Sequence, residues 1–287
     1  MATLNSNYIA VVGLHGSGKT TYLAALWHTL TSGEIESELV LDQLDGDQTY
    51  VESVHAAWCR CEEVKRTSML EETEIKIRVA TRSAGWRATL AFPDMSGETF
   101  ERQLESRACT EDYAQQFAGV DSVLFFVSAD KQTDGIPIVD MNDMGEHDDV
   151  GPVLNVVPEE WSSRAVPLQV QAVELLQFFL RPPFVRKARR VAVLVSAWDL
   201  VRPIGIAPLD YLNREFPLLR QFLSSNLDSF EFQVFGISAQ GGVVTGPDRD
   251  RLLRMTAASR ISAVGPTPRT DLTSPLVWLA QNAAPGK

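Results

Sequence analysis

The segment Gly13–Thr20 has the residue types and the spacing of a phosphate-binding loop. It reads GLHGSGKT, which fits the pattern GxxxxGK[ST], and it lies between an apolar, β-branched run and a helical pattern. Glycines let backbone N–H groups point at phosphate oxygens, a lysine reaches the outer phosphates, and the last hydroxyl can bind Mg²⁺. We therefore predict that Lys19 stabilises phosphate charge and that Thr20 binds Mg²⁺, while His15 either lies near the terminal phosphate or faces outward. The predicted phosphate-binding residues are Gly13, His15, Gly16, Ser17, Gly18, Lys19, Thr20 and Thr21.

A second motif, DxxG, runs from Asp94 to Gly97 at the end of another apolar run. An aspartate there can hold Mg²⁺ through water, and the N–H of Gly97 can contact a γ-phosphate. We predict these roles because the phosphate loop lies upstream, separated from the motif by a hairpin pattern. Glu98 has two interpretations: it orients an attacking water molecule, or it is an acidic residue stabilised in the first turn of a helix.

Strand-like and helical patterns alternate along the chain, which is typical of a three-layer α/β fold with a mostly parallel sheet. The predicted strands cover residues 8–14, 74–81, 86–92, 122–128, 191–196 and 230–237. The predicted helices cover residues 19–31, 47–67, 98–107, 112–118, 169–180, 209–223, 248–258 and 274–280. The hairpin at 74–92 predicts one antiparallel edge strand in a six-stranded sheet.

The sequence pattern predicts one large domain with a short extension. Residues 1–245 are expected to form the P-loop domain, with a helical insertion at about 40–67 and a long loop at about 129–165. Residues 246–287 are expected to form a C-terminal extension packed on that domain.

Two later segments place polar residues after apolar strands. SAWD ends at Asp199, where the pattern [N/T]KxD would stand, and ISAQ contains Ser238 and Ala239. In this order the four motifs resemble those of the translation-factor and Ras-like (TRAFAC) class of P-loop GTPases. The resemblance implies that Asp199 accepts hydrogen bonds from guanine and that Ser238 and Ala239 belong to the loop facing guanine O6. This chain departs from the family pattern at two positions, with Ala197 in the place of the lysine and Ser196 in the place of asparagine or threonine.

The resemblance implies a G domain that binds GTP or GDP with Mg²⁺ and hydrolyses GTP to GDP and phosphate as a molecular switch. It also implies a switch threonine that binds Mg²⁺, for which Thr67 is better placed than Thr73, and a protein partner that contacts the switch regions or insertions. The phosphate loop is similar to the GLxGSGKTT loops of bacterial GTPases in single and double GTPase modules. Two alternatives stay open: a P-loop ATPase or small-molecule kinase, and a nucleotide-binding scaffold that hydrolyses nothing.

Composition argues against several other classes of protein. The formal net charge of −11 disfavours wide contact with nucleic acid, and no apolar run approaches the roughly 20 residues of a membrane span. Residues 1–8 lack the pattern of a secretory signal, so a cytoplasmic location is expected.

Cys59, Cys61 and Cys109 are expected to be reduced packing residues and not a zinc site. The basic run 181–190 is expected to be a solvated helix end or a contact for an acidic partner.

Overall fold

The computed structural model describes residues 7–63, 75–82, 86–92, 98–130, 166–268 and 270–281. Its strands are β1 (Asn7–Gly13), β2 (Leu39–Asp45), β3 (Ile75–Thr81), β4 (Arg87–Phe92), β5 (Ser122–Ser128), β6 (Arg189–Ser196), β7 (Phe230–Ser238) and β8 (Ser262–Val264). Its helices are α1 (Lys19–Thr31), α2 (Gln48–Cys59), α3 (Glu98–Ser106), α4 (Glu111–Ala118), α5 (Leu168–Phe178), α6 (Pro208–Glu215), α7 (Pro217–Ser225), α8 (Gly246–Leu253), α9 (Ala257–Arg260) and α10 (Ser274–Gln281). Within these residues the strands form one sheet in the order β2-β3-β4-β1-β5-β6-β7-β8.

The five central strands are parallel, whereas both ends of the sheet are antiparallel. β4, β1, β5, β6 and β7 run in one direction, and the pairs β2–β3, β3–β4 and β7–β8 are antiparallel. The predicted α/β class with a mostly parallel sheet is confirmed. The predicted count of six strands is corrected to eight, and the edge is formed by β2 and not by a strand of the hairpin.

β2 lies in the segment for which a helical insertion was expected. Leu39, Leu41 and Leu44 are the side chains of β2 that pack with the core. A β-bulge between Leu41 and Gln43 shifts the register with β3, so two residues instead of one separate Leu41 from Leu44. The bulge interrupts the period-two alternation that identifies a strand in a sequence. β8, with three residues, is too short to give such a pattern. Both edge strands therefore escaped prediction.

α2 begins where the sequence predicted and ends earlier, at Cys59. The carboxylate of Asp47 caps the helix and accepts a hydrogen bond from the N–H of Tyr50 at 3.0 Å. Three apolar side chains on one face of α2, those of Val51, Val54 and Trp58, are buried in the core that α1 also lines. α2 thus packs on the helix that follows the phosphate loop.

β1 sends its side chains alternately into two apolar cores. Ile9 and Val11 pack with residues of α1, α2 and α10, whereas Ala10 and Val12 pack with residues of α3 to α7 on the other face. A strand that is buried on both faces has a continuous apolar sequence. The two cores on either side of the sheet give the three layers that the alternation of elements predicted.

The C-terminal residues contact both α1 and the sheet. α10 packs on β5 and β6, and the Tyr22 hydroxyl of α1 donates a hydrogen bond to the carbonyl oxygen of Leu272 at 3.0 Å. The side-chain amide of Asn7 donates to the carbonyl oxygen of Ala280 at 3.3 Å. The proposed division of the chain after residue 245 stays a prediction.

No helix in the described part of the chain is long and apolar enough to cross a membrane.

Candidate functional site

The phosphate loop connects β1 to α1 through glycines that no other residue can replace without strain. Gly16, with φ of 65°, and Gly18, with φ of 91°, lie in the left-handed region. A Cβ on Gly13 would lie 2.7 Å from Cβ of Phe126, and one on Gly18 would lie 3.0 Å from Cβ of Ser196. The loop therefore lies so close to β5 and β6 that there is no room for a side chain at position 13 or 18.

Polar groups that suit an anion converge in this loop. Lys19 is 4% exposed, and its Nζ donates hydrogen bonds to the carbonyl oxygens of Gly13 at 2.7 Å and Leu14 at 3.1 Å. The Oγ of Ser17 is buried and has no hydrogen-bond partner among the described residues. Gly18 precedes α1 without a capping side chain, and the first turn of α1 has no acidic residue. The N–H groups at this helix end are therefore available to an anion, and the set of donors fits a chain of phosphates.

Hydroxyl groups join the loop to the ends of β5 and β6. Ser196 Oγ donates a hydrogen bond to the carbonyl oxygen of Ser17 at 2.8 Å and lies 3.1 Å from Oγ of Ser128. Ser128 and Ser196 face each other in register on the parallel strands, and the Ser128 hydroxyl donates to Asp130. Sequence reasoning treated Ser196 only as a departure from a family motif and did not consider Ser128. The available signal was a serine at the end of each of two neighbouring apolar strands.

Asp199 and Ser238 meet at the ends of the next two strands. The Ser238 hydroxyl donates a hydrogen bond to Oδ1 of Asp199 at 2.6 Å and accepts one from the N–H of Gly241 at 3.1 Å. Ser238 is 1% exposed, whereas Asp199 is partly exposed. Ser238 therefore orients the carboxylate, and Asp199 is the member of the pair that a ligand can reach.

Trp58 of α2 supports the loop after β7. Its Nε1 donates a hydrogen bond to the carbonyl oxygen of the buried Ala239 at 3.0 Å. The guanidinium of Arg260 lies 4.5 Å from the centre of the Trp58 ring and donates to the Trp58 carbonyl oxygen at 3.1 Å. This role of Trp58 could not be predicted from the sequence. The spacing of apolar residues along α2 indicates that the Trp58 side chain is buried, but it does not indicate which group accepts the hydrogen bond from its indole N–H.

The segment between Ser196 and Asp199 turns sharply and places a tryptophan in the core. Ala197 has φ of 54°, in the left-handed region, and precedes a short 3₁₀ turn. Trp198 is buried against Gly236, and its ring meets that of Tyr211 edge-on with centroids 5.5 Å apart. Trp198 is thus a core residue.

Arg251 of α8 brings a positive charge to the loop after β7. It donates hydrogen bonds to the carbonyl oxygen of Gly241 at 2.8 Å and to Oδ1 of Asp248 at 2.7 Å. The bond to Asp248 raises the pKa of Arg251, and the charge of Asp199 raises it further. The same bond, with one from the N–H of Val243, lowers the pKa of Asp248. Sequence reasoning did not find Arg251, which lies on a helix beyond the last recognised motif.

Three further predicted residues lie in or beside the phosphate loop. Thr20 and Thr21 are partly buried in the first turn of α1. His15 is partly buried and lines a hollow together with Leu168 and Phe216, from the starts of α5 and α7. His15 therefore lies close to α5 and to the segment that joins α6 and α7. Its two predicted positions, near the terminal phosphate or facing outward, stay predictions.

Glu98 is the first residue of α3, the position that its second interpretation requires. Asp94, Gly97 and Thr67 lie outside the described residues. The roles of these four residues stay predictions.

The sequence matches a known protein family over most of its length. A sequence model of the Double-GTPase 1 family matches residues 10–279, a range that includes the phosphate loop, Asp199 and Ser238. No curated protein sequence matches the chain.

Several solved structures are similar to the chain at low sequence identity. The Ski7 GTPase-like domain of S. cerevisiae, bound to GTP, matches with a TM-score of 0.43 and 11% identity, over 96% of this chain and 50% of that one. This chain thus spans half the length of the Ski7 chain. Nucleolar GTP-binding protein 1 of Plasmodium falciparum matches with a TM-score of 0.38 and 11% identity, over 90% of this chain and 87% of that one. The SRb-GTP/SRX complex of the signal recognition particle receptor from Chaetomium thermophilum matches with a TM-score of 0.38 and 12% identity, over 87% of this chain and 96% of that one. With scores this low, the family match alone indicates the function.

Proposed function

We propose that this chain, which belongs to the Double-GTPase 1 family and is a GTP-binding GTPase, hydrolyses GTP with Mg²⁺ and acts as a molecular switch. One observation carries the proposal: the buried Lys19 and the Asp199–Ser238 pair both lie at the carboxyl ends of the central parallel strands. Ligands of open α/β sheets bind at the carboxyl ends of the parallel strands. The two groups suit the two ends of one nucleotide, and we call them the phosphate subsite and the base subsite.

Lys19 gives the phosphate subsite its positive charge. Its ammonium group bonds to the carbonyl oxygens of Gly13 and Leu14, and a phosphate oxygen is a stronger acceptor because it is charged. The N–H groups of the loop and of the first turn of α1 are placed to hold the remaining phosphate oxygens. Lys19 and these N–H groups then stabilise the charge that develops when water attacks the γ-phosphate.

The proposed protein ligands of Mg²⁺ are Thr20, Asp94 and Thr67, all of which offer the oxygen atoms that this ion prefers. When bound, Mg²⁺ neutralises charge on the β- and γ-phosphate oxygens. In the same scheme Gly97 donates its N–H to the γ-phosphate, and Glu98 orients the attacking water molecule.

Asp199 gives the base subsite its preference for guanine. Its carboxylate can accept hydrogen bonds from N1–H and the 2-amino group of guanine, whereas adenine has a bare N1 and no 2-amino group. The bond from Ser238 holds the carboxylate in position, and the bond from Arg251 to Gly241 holds the neighbouring loop. Because alanine occupies position 197, no lysine side chain is present there to cover the base, and recognition depends on Asp199.

A titration with fluorescent GTP and ATP analogues in the presence of Mg²⁺ tests the base assignment. We expect GTP to bind at least about tenfold more tightly, since a hydrogen bond to a charged group contributes about 1.5–3 kcal/mol. Asp199→Asn should weaken GTP binding by a similar factor and change ATP binding little. Asp210→Asn, at an exposed position in the first turn of α6, is the control and should change neither. Equal or tighter binding of ATP would contradict the assignment.

Release of phosphate from GTP over hours distinguishes an enzyme from a scaffold that hydrolyses nothing. We expect slow release that falls by about 100-fold or more in Lys19→Ala, because a buried cation next to developing charge is lost. Lys187→Ala, which removes a lysine paired with Asp121 at the opposite end of β5, should leave the rate unchanged. If the unmodified protein releases no more phosphate than Lys19→Ala does, the scaffold is the correct alternative. Glu98→Ala reports separately on the water-orienting role.

The cellular setting is proposed on the same basis. A GTPase switch acts through segments whose order depends on the γ-phosphate, and the segments holding Thr67 and Asp94–Gly97 are the proposed contact surface for a protein partner. A cytoplasmic location is proposed because GTP is available there, and the GLxGSGKTT-like loop supports a bacterial origin.

A further inference from the structure

Two histidines and a cysteine come together between α1 and α2, on the face of α1 that packs against α2. His28 belongs to α1, and His55 and Cys59 lie one turn apart on α2. Nδ1 of His28 is 3.2 Å from Nε2 of His55, and that nitrogen is 3.4 Å from Sγ of Cys59. The three atoms all lie within 4.8 Å of one another.

The two shorter separations, 3.2 Å and 3.4 Å, are those of ligands around one tetrahedral ion. With Zn–N bonds of about 2.0–2.1 Å and Zn–S bonds of about 2.3 Å, tetrahedral angles place two nitrogens about 3.3 Å apart and a nitrogen and a sulfur about 3.5 Å apart. The His28–His55 and His55–Cys59 pairs therefore already have the spacing that binding requires, and the third pair lies within 4.8 Å.

The chemistry of the three atoms selects a class of ion. Imidazole nitrogen together with thiolate sulfur favours Zn²⁺ and similar borderline-soft ions over Mg²⁺ and Ca²⁺, which prefer oxygen. We propose that His28, His55 and Cys59 form a binding site for Zn²⁺ or a chemically similar divalent transition-metal ion, with a fourth position open to water or another ligand.

The surroundings of His28 support the proposal independently. A histidine that binds zinc usually donates its other N–H to a carboxylate or carbonyl oxygen, which fixes the ring. Nε2 of His28 makes no hydrogen bond among the described residues, yet it lies 3.5 Å from Oε2 of Glu34. His28 is 5% exposed, so this nitrogen cannot rely on bulk water for a partner. With Nδ1 on the ion, Nε2 carries the proton and Glu34 is the acceptor beside it.

Trp58 connects the proposed metal site to the base subsite. Its ring centroid lies 5.2 Å from that of His28 and 6.1 Å from that of His55, and its Nε1 donates to the carbonyl oxygen of Ala239. An ion that fixes the two imidazole rings therefore also restricts the side chain that supports the loop after β7. The site lies outside the phosphate loop and takes a different class of ion from the one that nucleotide hydrolysis uses.

Cobalt provides a direct test, using full-length, untagged, reduced and nucleotide-free protein. Titration with Co²⁺ should give one equivalent of saturable binding, with the intense visible bands of a tetrahedral site and a near-ultraviolet band from thiolate to metal, and Zn²⁺ should displace it. Cys59→Ser should remove the near-ultraviolet band, and both Cys59→Ser and His55→Ala should weaken Zn²⁺ binding by at least about tenfold. Cys109→Ser is the matched control and should leave both unchanged.

Glu34→Gln tests the second observation and should weaken Zn²⁺ binding by about tenfold while keeping the near-ultraviolet band. Cys59 is exposed and His55 partly exposed, so both variants should fold, and their far-ultraviolet circular dichroism should match that of the unmodified protein. The proposal is overturned if the protein binds no Co²⁺ at one equivalent. It is equally overturned if Cys59→Ser binds Zn²⁺ as tightly as the unmodified protein does, or if Cys59→Ser and Cys109→Ser weaken Zn²⁺ binding to the same extent.

Discussion

Gly236 shows how a single missing side chain shapes the base subsite. A Cβ at this position would lie 2.2 Å from the Trp198 ring, a distance that the ring cannot accept without moving. Trp198 is adjacent to Asp199 in the chain and begins the 3₁₀ turn that carries it. The place of the recognition carboxylate therefore depends on a glycine in the neighbouring strand.

Gly236→Ala should lower the free energy of unfolding by about 1–3 kcal/mol, because it overpacks a filled core. It should also weaken GTP binding, since Trp198 must shift and Asp199 moves with it. Urea denaturation and the nucleotide titration measure the two effects. Gly119→Ala is the control, because a Cβ there would meet nothing within 4 Å. A loss of stability in Gly119→Ala as large as that in Gly236→Ala would show that the Trp198 contact is not the cause.

Individual site residues differed in how far the sequence predicted them. The phosphate loop was recognisable because its chemistry is contained in eight consecutive residues, Gly13–Thr20, with fixed spacing. Trp58 and Ser128 were not, since each acts through a partner far away in the chain: Trp58 and Ala239 are 181 residues apart, and Ser128 and Ser196 are 68 residues apart. Arg251 was not, because it lies beyond the last recognised motif. The proposed metal site was missed for the same reason, because only His55 and Cys59 share an element.

At the scale of elements, α2 connects the helix after the phosphate loop to the loop after β7. Trp58 is the contact at one end, with its ring buried in the core and its N–H on Ala239. The neighbouring Arg260 donates hydrogen bonds to the carbonyl oxygens of Trp58 and Cys59, which ties α9 to the end of α2. A change in α2 therefore reaches the base subsite through Trp58 and the groups that bond to it.

Trp58→Phe should weaken GTP binding more than its effect on folding explains. The variant leaves the carbonyl oxygen of Ala239 without its donor, and an unsatisfied buried polar group costs about 1–3 kcal/mol. Fluorescence titration with GTP and thermal unfolding measure the two effects. Phe230→Leu, a truncation of a buried side chain at the far end of β7, is the control and should destabilise without changing affinity. Equal losses of affinity in the two variants would contradict the role given to Trp58.

Long elements were predicted well and their interruptions poorly. α1, β5 and the hairpin of β3 and β4 lie within a residue of the predicted bounds, because each has a sustained pattern. The predicted helix 209–223 is instead two helices, since Pro217 disfavours helical geometry at Phe216, which has φ of −128°. The bulge in β2 is a comparable interruption. A single residue ends a helix or shifts a strand, whereas a pattern needs several residues to be recognised.

At the scale of the whole molecule, the basic segment 181–190 ends in two buried arginines, Arg189 and Arg190. Arg189 is 2% exposed, and its guanidinium donates to the carbonyl oxygens of Val120 at 3.2 Å, Phe179 at 3.0 Å and Val185 at 2.8 Å. Burial lowers the pKa of this arginine. The expectation of a solvated basic run is thus corrected for Arg189. The sequence could not show this, because the carbonyl acceptors belong to the end of α4, the end of α5 and a connecting segment that meet only in the folded chain.

The hydroxyl of Ser196 and the carboxylate of Asp199 serve opposite ends of the proposed nucleotide, and they are three residues apart. Ser196 contacts the phosphate loop, Asp199 lies in the base subsite, and the left-handed Ala197 makes the turn between them. This connection therefore sets the spacing between the two ends of the nucleotide site. It cannot accept a change of length, because an insertion or deletion there would shift the two contacts relative to each other.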